Sequence, residues 1–211
     1  MYELNELERY FKTYVVKRMQ SDNAHDLAHI ERVVKQAKRL AADEGAESTL
    51  VVAAAWLHDV VNYPKDHPNR CQASFDSASS VEPFLKELGF DYSQITAIQH
   101  AIITHSFSAQ VTPRTLEAQV VQDADRLDAL GAIGIARCMM VGGQLSRLLY
   151  ELEDPFCSER EPNDSEFTLD HFYQKLLRLE ATFQTQAGRA EAARRTQFMR
   201  KYLEQLRFEI N

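Results

Sequence analysis

A histidine and an aspartate stand side by side, as His58 and Asp59, in the stretch LVVAAAWLHDVVNYPKDHPNR at positions 50–70. Eight apolar residues precede them without interruption, from Leu50 to Leu57. A segment that is apolar on every side is expected to be buried, and the burial of an unpaired carboxylate is strongly unfavourable. The pair therefore needs partners from elsewhere in the chain.

Two further stretches could supply these partners. In HDLAHIERVVKQAKRLAA, placed on a helical wheel at about 100° per residue, His29 lies at the edge of the apolar arc. In VVQDADRLDALGAIGIAR, Asp125 and Asp128 stand among apolar residues and are three residues apart, so a helix places them on one face. Small residues follow, which allow helices to approach closely.

A divalent metal ion would satisfy these groups together. His29, His58, Asp59 and Asp125 offer two imidazoles and two carboxylates from three predicted helices. Mixed nitrogen and oxygen ligation, with positions left for water, suits Mn²⁺, Fe²⁺, Co²⁺ or Ni²⁺ better than a structural zinc site built from thiolates. We expect Mn²⁺ first, with Ni²⁺, Co²⁺ or Fe²⁺ as alternatives. Mg²⁺ stays open, although it prefers carboxylate and water to imidazole.

The segments HDLAHIERV, AAWLHDV and DADRLDALGAIGIAR resemble, in this order, the motifs of the HD-domain metal-dependent phosphohydrolases. The resemblance is closest to the small bacterial branch of YedJ- and YpgQ-like proteins, and it covers about residues 22–208. It implies an all-α, compact multi-helix HD-domain fold with the metal site between core helices. The family's metal ligands correspond to His29, His58, Asp59 and Asp125.

The resemblance also implies hydrolysis of phosphate esters or anhydrides, often in nucleotides, by a metal-activated water. We expect an enzyme that cleaves nucleoside or deoxynucleoside triphosphates to a monophosphate and pyrophosphate. A nucleotide monophosphatase or phosphodiesterase of the same fold is the alternative reaction. A non-catalytic nucleotide-binding regulatory module is the alternative from another class. A diiron oxygenase would need a second set of metal-binding histidines, for which His100 and His105 are the candidates.

Three residues are expected to act in catalysis: Asp59, His105 and Asp128. His105 could bind the substrate or protonate the leaving group. For Asp128, a helix cap or a salt bridge with Arg126 or Arg32 is the alternative to a role at the substrate. The residues expected to bind the phosphate groups of the substrate are Arg32, Asn62, Lys65, Arg126 and Lys175.

Patterns with the helical period fill most of the 211 residues, and no composition shift marks a linker. We therefore expect one domain over 1–211, with a motif core at about 22–130 and C-terminal helices at 169–208 that pack on it. Ser48, Thr112 and Gly89 are predicted to cap helices, the last at a C-terminus. The predicted helices span 3–19, 26–43, 49–62, 71–88, 93–104, 114–127, 129–150, 169–184 and 187–208.

The net charge of −7 gives no general attraction to nucleic acid or to anionic lipid. No apolar run approaches the ~20 residues that a transmembrane helix needs. The three cysteines show no paired ligand spacing, which favours a reducing, cytoplasmic setting over a disulfide framework. The expected partner is a small phosphate-bearing molecule, and a homodimer is compatible with these features.

Overall fold

The computed structural model describes residues 2–18, 27–63 and 67–210, and this part of the chain is helical. It contains no β-strand, and Leu148 and Phe167 form an isolated bridge. The all-α prediction is therefore confirmed. None of the described helices combines the length and the apolar character needed to cross a membrane.

The helices are α1 (Leu4–Arg18), α2 (Leu27–Glu44), α3 (Ser48–Leu57), α4 (Ala73–Ser80), α5 (Glu82–Glu87), α6 (Tyr92–His105), α7 (Leu116–Leu127), α8 (Gly131–Gln144), α9 (Asp170–Gln174) and α10 (Gln186–Ile210), with 3₁₀ segments at Arg70–Gln72 and Leu176–Thr182.

The chain divides into two compact units. The first comprises Met1–Asp125 together with Gln184–Ala187, and the second comprises Arg126–Phe183 together with Gly188–Asn211. Helices α1 to α6 belong to the first unit, and α8 and α9 belong to the second. The expectation of a single domain with its C-terminal helices packed on the motif core stays a prediction.

Helix α3 is the buried centre of the first unit. Its residues from Val51 to Leu57 are all at most 5% exposed, and it contacts α1, α2 and α6. A helix surrounded by other helices has no polar face, which explains its unbroken apolar sequence. It ends at Leu57 rather than at residue 62, and His58 is its C-cap. The His58–Asp59 pair therefore follows directly after the most buried helix of the unit.

The cap of α3 is Glu47, not Ser48. The Glu47 carboxylate accepts hydrogen bonds from the backbone N–H groups of Thr49 and Leu50, at 2.9 and 2.8 Å. The prediction for Ser48 was wrong because the preceding carboxylate reaches the same free N–H groups and leaves Ser48 inside the helix.

Other predicted helix ends were also shifted. Helix α7 begins at Leu116, and the Thr115 hydroxyl accepts from the Ala118 N–H at 3.2 Å, so Thr112 does not cap it. The predicted helix at 71–88 is divided into a 3₁₀ turn, α4 and α5. Gly89, with φ +85°, follows the end of α5 as predicted, because glycine tolerates the left-handed conformation that ends many helices.

Asp123 joins two distant parts of the first unit. Its carboxylate is fully buried and accepts hydrogen bonds from the backbone N–H groups of Gln184 and Thr185 and from the Thr185 hydroxyl, at 2.8 to 3.2 Å. These contacts hold Gln184–Ala187 against α7, and we call them the Asp123 clasp.

Candidate metal centre

Helix α2 places His29 in the interior of the first unit. The helix is amphipathic, and its buried face includes Ile30, Val33 and Val34 beside His29, which is 1% exposed. The His29 Nε2 atom lies 3.4 Å from Oδ1 of Asp125 and 4.0 Å from Oδ2 of Asp59. The first histidine of the predicted set thus meets both predicted carboxylates.

The ring of His58 is fixed by the helix that precedes it. Its Nδ1 lies 2.8 Å from the carbonyl oxygen of Ala55. Because a carbonyl only accepts hydrogen bonds, Nδ1 carries the hydrogen, and the neutral ring keeps its lone pair on Nε2. That atom is buried and has no hydrogen-bond partner among the described residues.

Two carboxylate oxygens lie in front of this lone pair. Oδ2 of Asp59 is 3.6 Å from Nε2 of His58, and Oδ1 of Asp125 is 3.9 Å from it. A buried lone pair that faces anionic oxygens is electrostatically unfavourable without a positive charge. The arrangement therefore fits a cation.

The distances between the donor atoms also fit a metal ion. Nitrogen and oxygen ligands lie about 2.0–2.2 Å from a transition metal, so two ligands of one ion are at most about 4.4 Å apart. The contacts among His29, His58, Asp59 and Asp125 range from 3.4 to 4.0 Å. Two overlapping groups have donor atoms that all lie within 4.8 Å of one another: His29 with His58 and Asp125, and His58 with Asp59 and His105.

His105 approaches the other oxygen of Asp59. It is the last residue of α6 and is 7% exposed. Its Nδ1 lies 2.5 Å from the Ile102 carbonyl oxygen, and its Nε2 lies 3.4 Å from Oδ1 of Asp59. His100, in contrast, accepts a hydrogen bond at Nε2 from the backbone N–H of Arg114. His105 is thus placed at the cluster, whereas His100 supports the loop before α7.

The ionisation of these groups reflects burial and mutual attraction. Burial lowers the pKa of His58, because the charged ring would lose its hydration. Burial would raise the pKa of the Asp125 carboxyl, but the neighbouring His29, His105 and His58 lower it well below its usual range. Burial alone would lower the pKa of His105. The hydrogen bond and the negative charge of Asp59 outweigh the effect of burial, so the pKa of His105 is raised. The cluster therefore favours an added positive charge.

The segment after Asp59 is tied to α4. The Ser77 hydroxyl accepts from the Val61 N–H and donates to the Val61 carbonyl, each at 3.1 Å. The Tyr63 hydroxyl donates to Asp76 at 2.8 Å. Asn62, between these two anchors, is exposed. Its predicted contact with substrate stays a prediction, and Lys65 lies outside the described residues.

The remaining predicted residues fall into two groups. Arg32 is partly exposed on α2, one helical turn after His29 in the first unit. Arg126, Asp128 and Lys175 belong to the second unit. Their roles at the substrate stay predictions.

Within the second unit, two of these side chains have defined partners. A guanidinium nitrogen of Arg126 donates to the Thr182 carbonyl oxygen at 2.6 Å. Asp128 is buried and forms a salt bridge with Arg137 at 2.6 Å. Arg137 is thus a partner of Asp128 that the sequence did not predict.

The turn after α7 is shaped by residues that were not predicted from the sequence. Arg137 also donates to the Asp128 carbonyl, and Arg195 donates to the Leu127 carbonyl at 2.7 Å. A Cβ atom on Gly134 would lie 2.2 Å from the Ala129 carbonyl oxygen. The small residues of this motif thus permit a close backbone contact. The signal that could have identified Arg137 was its position in the motif with Asp128.

Comparisons with known proteins extend over the whole chain. The family model described as HD domain matches residues 26–130. The uncharacterized protein YpgQ of Bacillus subtilis is 31% identical over 215 residues, covering 100% of this chain and 96% of that protein.

Solved structures show the same extent of similarity. An HD-superfamily hydrolase from Bacillus thuringiensis is 33% identical, with a TM-score of 0.77 over 98% of each chain. The crystal structure of Bacillus subtilis YpgQ in complex with ADP is 30% identical, with a TM-score of 0.75 over 98% of this chain and 96% of that chain. The similarity therefore includes the residues beyond the motif region.

Proposed function

The chain belongs to the HD-domain superfamily of hydrolases, and from this premise we propose that it is a metal-dependent phosphohydrolase that acts on nucleotides. The reaction that we propose is cleavage of a nucleoside or deoxynucleoside triphosphate to a monophosphate and pyrophosphate. The observation that carries the proposal is the buried Nε2 lone pair of His58, which faces the carboxylates of Asp59 and Asp125.

The residues that would hold the metal are His29, His58, Asp59 and Asp125, and Mn²⁺ is the ion that we propose first. A divalent cation at this position lowers the pKa of a bound water and offsets the negative charge of a phosphoryl oxygen. The fixed tautomer of His58 favours such binding, because its Nδ1 hydrogen is engaged by Ala55 and Nε2 needs no rearrangement.

His105 is the residue that we propose to move a proton. Its Nδ1 is engaged by the Ile102 carbonyl, so Nε2 is the atom available for exchange. Asp59 lies beside that atom and favours the protonated ring. A protonated Nε2 could donate to the oxygen of a leaving phosphate group, which would otherwise depart with an unfavourable charge.

The proposed preference for a triphosphate rests on the number of cationic side chains. A triphosphate bears several negative charges, and one divalent ion offsets only part of them. Arg32 lies one turn from His29, and Lys65, Arg126 and Lys175 are the further cations that we propose for the distal phosphates. The complex of YpgQ with ADP supports a nucleotide as the ligand class.

A substrate panel tests the proposal. Nucleoside mono-, di- and triphosphates and a generic phosphate ester are incubated with Mn²⁺, Co²⁺, Ni²⁺ or Mg²⁺, and the products are followed by phosphorus NMR. We expect pyrophosphate to appear together with nucleoside monophosphate. Inorganic phosphate as the sole initial product, or turnover of monophosphates alone, would contradict the proposed bond.

A lysine variant tests the distal contacts. Lys65→Ala should slow triphosphate turnover more than hydrolysis of the generic ester, because only the triphosphate has distal phosphates. The control is Lys86→Ala, since Lys86 is exposed and pairs with Glu82 within α5. An equal effect of Lys65→Ala on both substrates would argue against this contact.

A further inference from the structure

The end of helix α6 is completed by a side chain from α7. The last carbonyl groups of a helix lack partners within the helix. Here the ring of His105 engages the Ile102 carbonyl, and Nε2 of Gln122 donates to the Thr104 carbonyl at 2.6 Å. Thr104 immediately precedes His105, so Gln122 holds the peptide unit to which His105 is attached.

The amide of Gln122 is not explained by stability alone. Gln122 is 3% exposed, and its Oε1 atom is buried without a hydrogen-bond partner among the described residues. A buried acceptor without a partner is unfavourable, and an apolar side chain of similar size would avoid the penalty. The amide of Gln122 provides an N–H donor, which is directed at the Thr104 carbonyl oxygen.

Gln122 also shares a helical face with a candidate ligand. It lies three residues before Asp125 on α7, and residues at this spacing are neighbours on one face of a helix. The Gln122–Thr104 hydrogen bond therefore connects the turn of α7 that carries Asp125 with the turn of α6 that carries His105. Both turns belong to the first unit.

We propose that Gln122 is a positioning residue, which holds the last turn of α6 so that Nε2 of His105 faces Oδ1 of Asp59. The inference rests on the proposed function only in giving His105 a part in the reaction. The placement of the His105 ring is a structural property that can be measured without metal or substrate.

The test uses nitrogen NMR of the histidine rings in the metal-free, full-length protein. In Gln122→Met, which keeps the length of the side chain and removes the donor, the ring nitrogen resonances of His105 should move more than those of any other histidine. The matched control is Gln36→Met, because Gln36 on α2 also carries a buried Oε1 that has no hydrogen-bond partner within the described part of the chain. In that variant the His105 resonances should stay in place.

Kinetics provide the second measurement. With His105 misplaced, kcat should fall by roughly 10- to 100-fold, the size expected for a displaced catalytic group, with little change in KM. In Gln122→Asn the side chain is too short to reach Thr104, so the shift of the His105 resonances and the fall in kcat should both recur. This variant replaces Gln122→Met if the latter fails to fold.

Unchanged His105 resonances in a folded Gln122 variant would overturn the inference. Absence of nucleotide hydrolysis by the unmodified protein would instead overturn the proposed function. The NMR result would then still decide the placement of His105.

Discussion

Oδ1 of Asp59 lies 3.4 Å from Nε2 of His105, while Oδ2 of the same carboxylate lies 3.6 Å from Nε2 of His58. One carboxylate thus faces a proposed metal ligand with one oxygen and a proposed proton donor with the other. Loss of Asp59 should therefore weaken both metal binding and proton transfer. Loss of Asp125 should mainly weaken metal binding, and loss of His105 should mainly weaken proton transfer.

Removal of a carboxylate should empty the metal site. Asp59→Ala and Asp125→Ala should each lower the affinity for Mn²⁺ by more than about 100-fold, because loss of even an outer partner of a ligand costs 10- to 100-fold. Both variants should remain folded by circular dichroism. Calorimetric titration measures the affinity, with Asp43→Ala on the exposed side of α2 as the control. Full occupancy in both variants would contradict the proposed site.

Removal of His105 should affect turnover more than metal binding. His105→Ala should lower kcat by about 10² to 10⁴, the range for loss of a general acid or base. Its affinity for Mn²⁺ should stay well above that of Asp125→Ala. Steady-state kinetics and titration on one preparation provide both values. If the affinity falls as far as in Asp125→Ala, His105 is a ligand rather than a proton donor.

The Asp128–Arg137 pair should contribute to stability. Arg137→Met removes the guanidinium beside a carboxylate that is 4% exposed, while Arg137 itself is 25% exposed. A buried acceptor left without its partner should destabilise the fold by about 1–3 kcal/mol. Replacing both residues, as Asp128→Leu with Arg137→Met, should recover part of the loss. Urea unfolding measures the free energies, and strictly additive effects would show that the pair does not interact.

Two glycines of α8 should respond in opposite directions to alanine. Gly134→Ala should destabilise the protein by about 1–3 kcal/mol, because the added Cβ would meet the Ala129 carbonyl oxygen. At Gly143, none of the described residues has an atom within 4 Å of the corresponding position, so Gly143→Ala should stabilise α8 by up to about 1 kcal/mol. Thermal unfolding compares the two, and equal shifts would contradict the proposed close contact.

Glu191 should make stability depend on pH in the acid range. Hydrogen bonds from Arg194 and Arg195 lower its pKa to about 2 despite burial. Its contribution is therefore complete above the ordinary glutamate pKa of about 4.3 and is lost as the pH falls towards 2. The difference in unfolding free energy between the unmodified protein and Glu191→Gln should shrink between pH 6 and pH 3. A difference that is constant with pH would argue against this pairing.

The sequence predicted α3 well because an apolar run of this length requires burial on all sides. It did not predict the end at Leu57, since Val60 and Val61 continue the apolar pattern although the chain has already turned. Local caps were also misassigned. Several side chains near a helix start can accept the same N–H groups, and Glu47 and Thr115 did so in place of Ser48 and Thr112.

The structure brings His29, His58, Asp59 and Asp125 together, and their role as metal ligands stays a prediction. The sequence singled them out because each is a polar residue beside apolar ones and needs a partner. Contacts such as the hydrogen bond between Gln122 and Thr104 could not be predicted from the sequence. They depend on which helix ends are neighbours in the fold, and residue types and spacing do not specify this.

The Asp123 clasp has a consequence for the order in which the protein is made. Asp123 and Thr185 are 62 residues apart, yet their contact belongs to the first unit. At synthesis rates of about 5–20 residues per second, Thr185 leaves the ribosome about 3 to 12 seconds after Asp123. During that interval the Asp123 carboxylate lacks these three donors. The unit that carries the candidate metal centre therefore cannot reach its final hydrogen bonding until the Arg126–Phe183 part of the second unit has been synthesised.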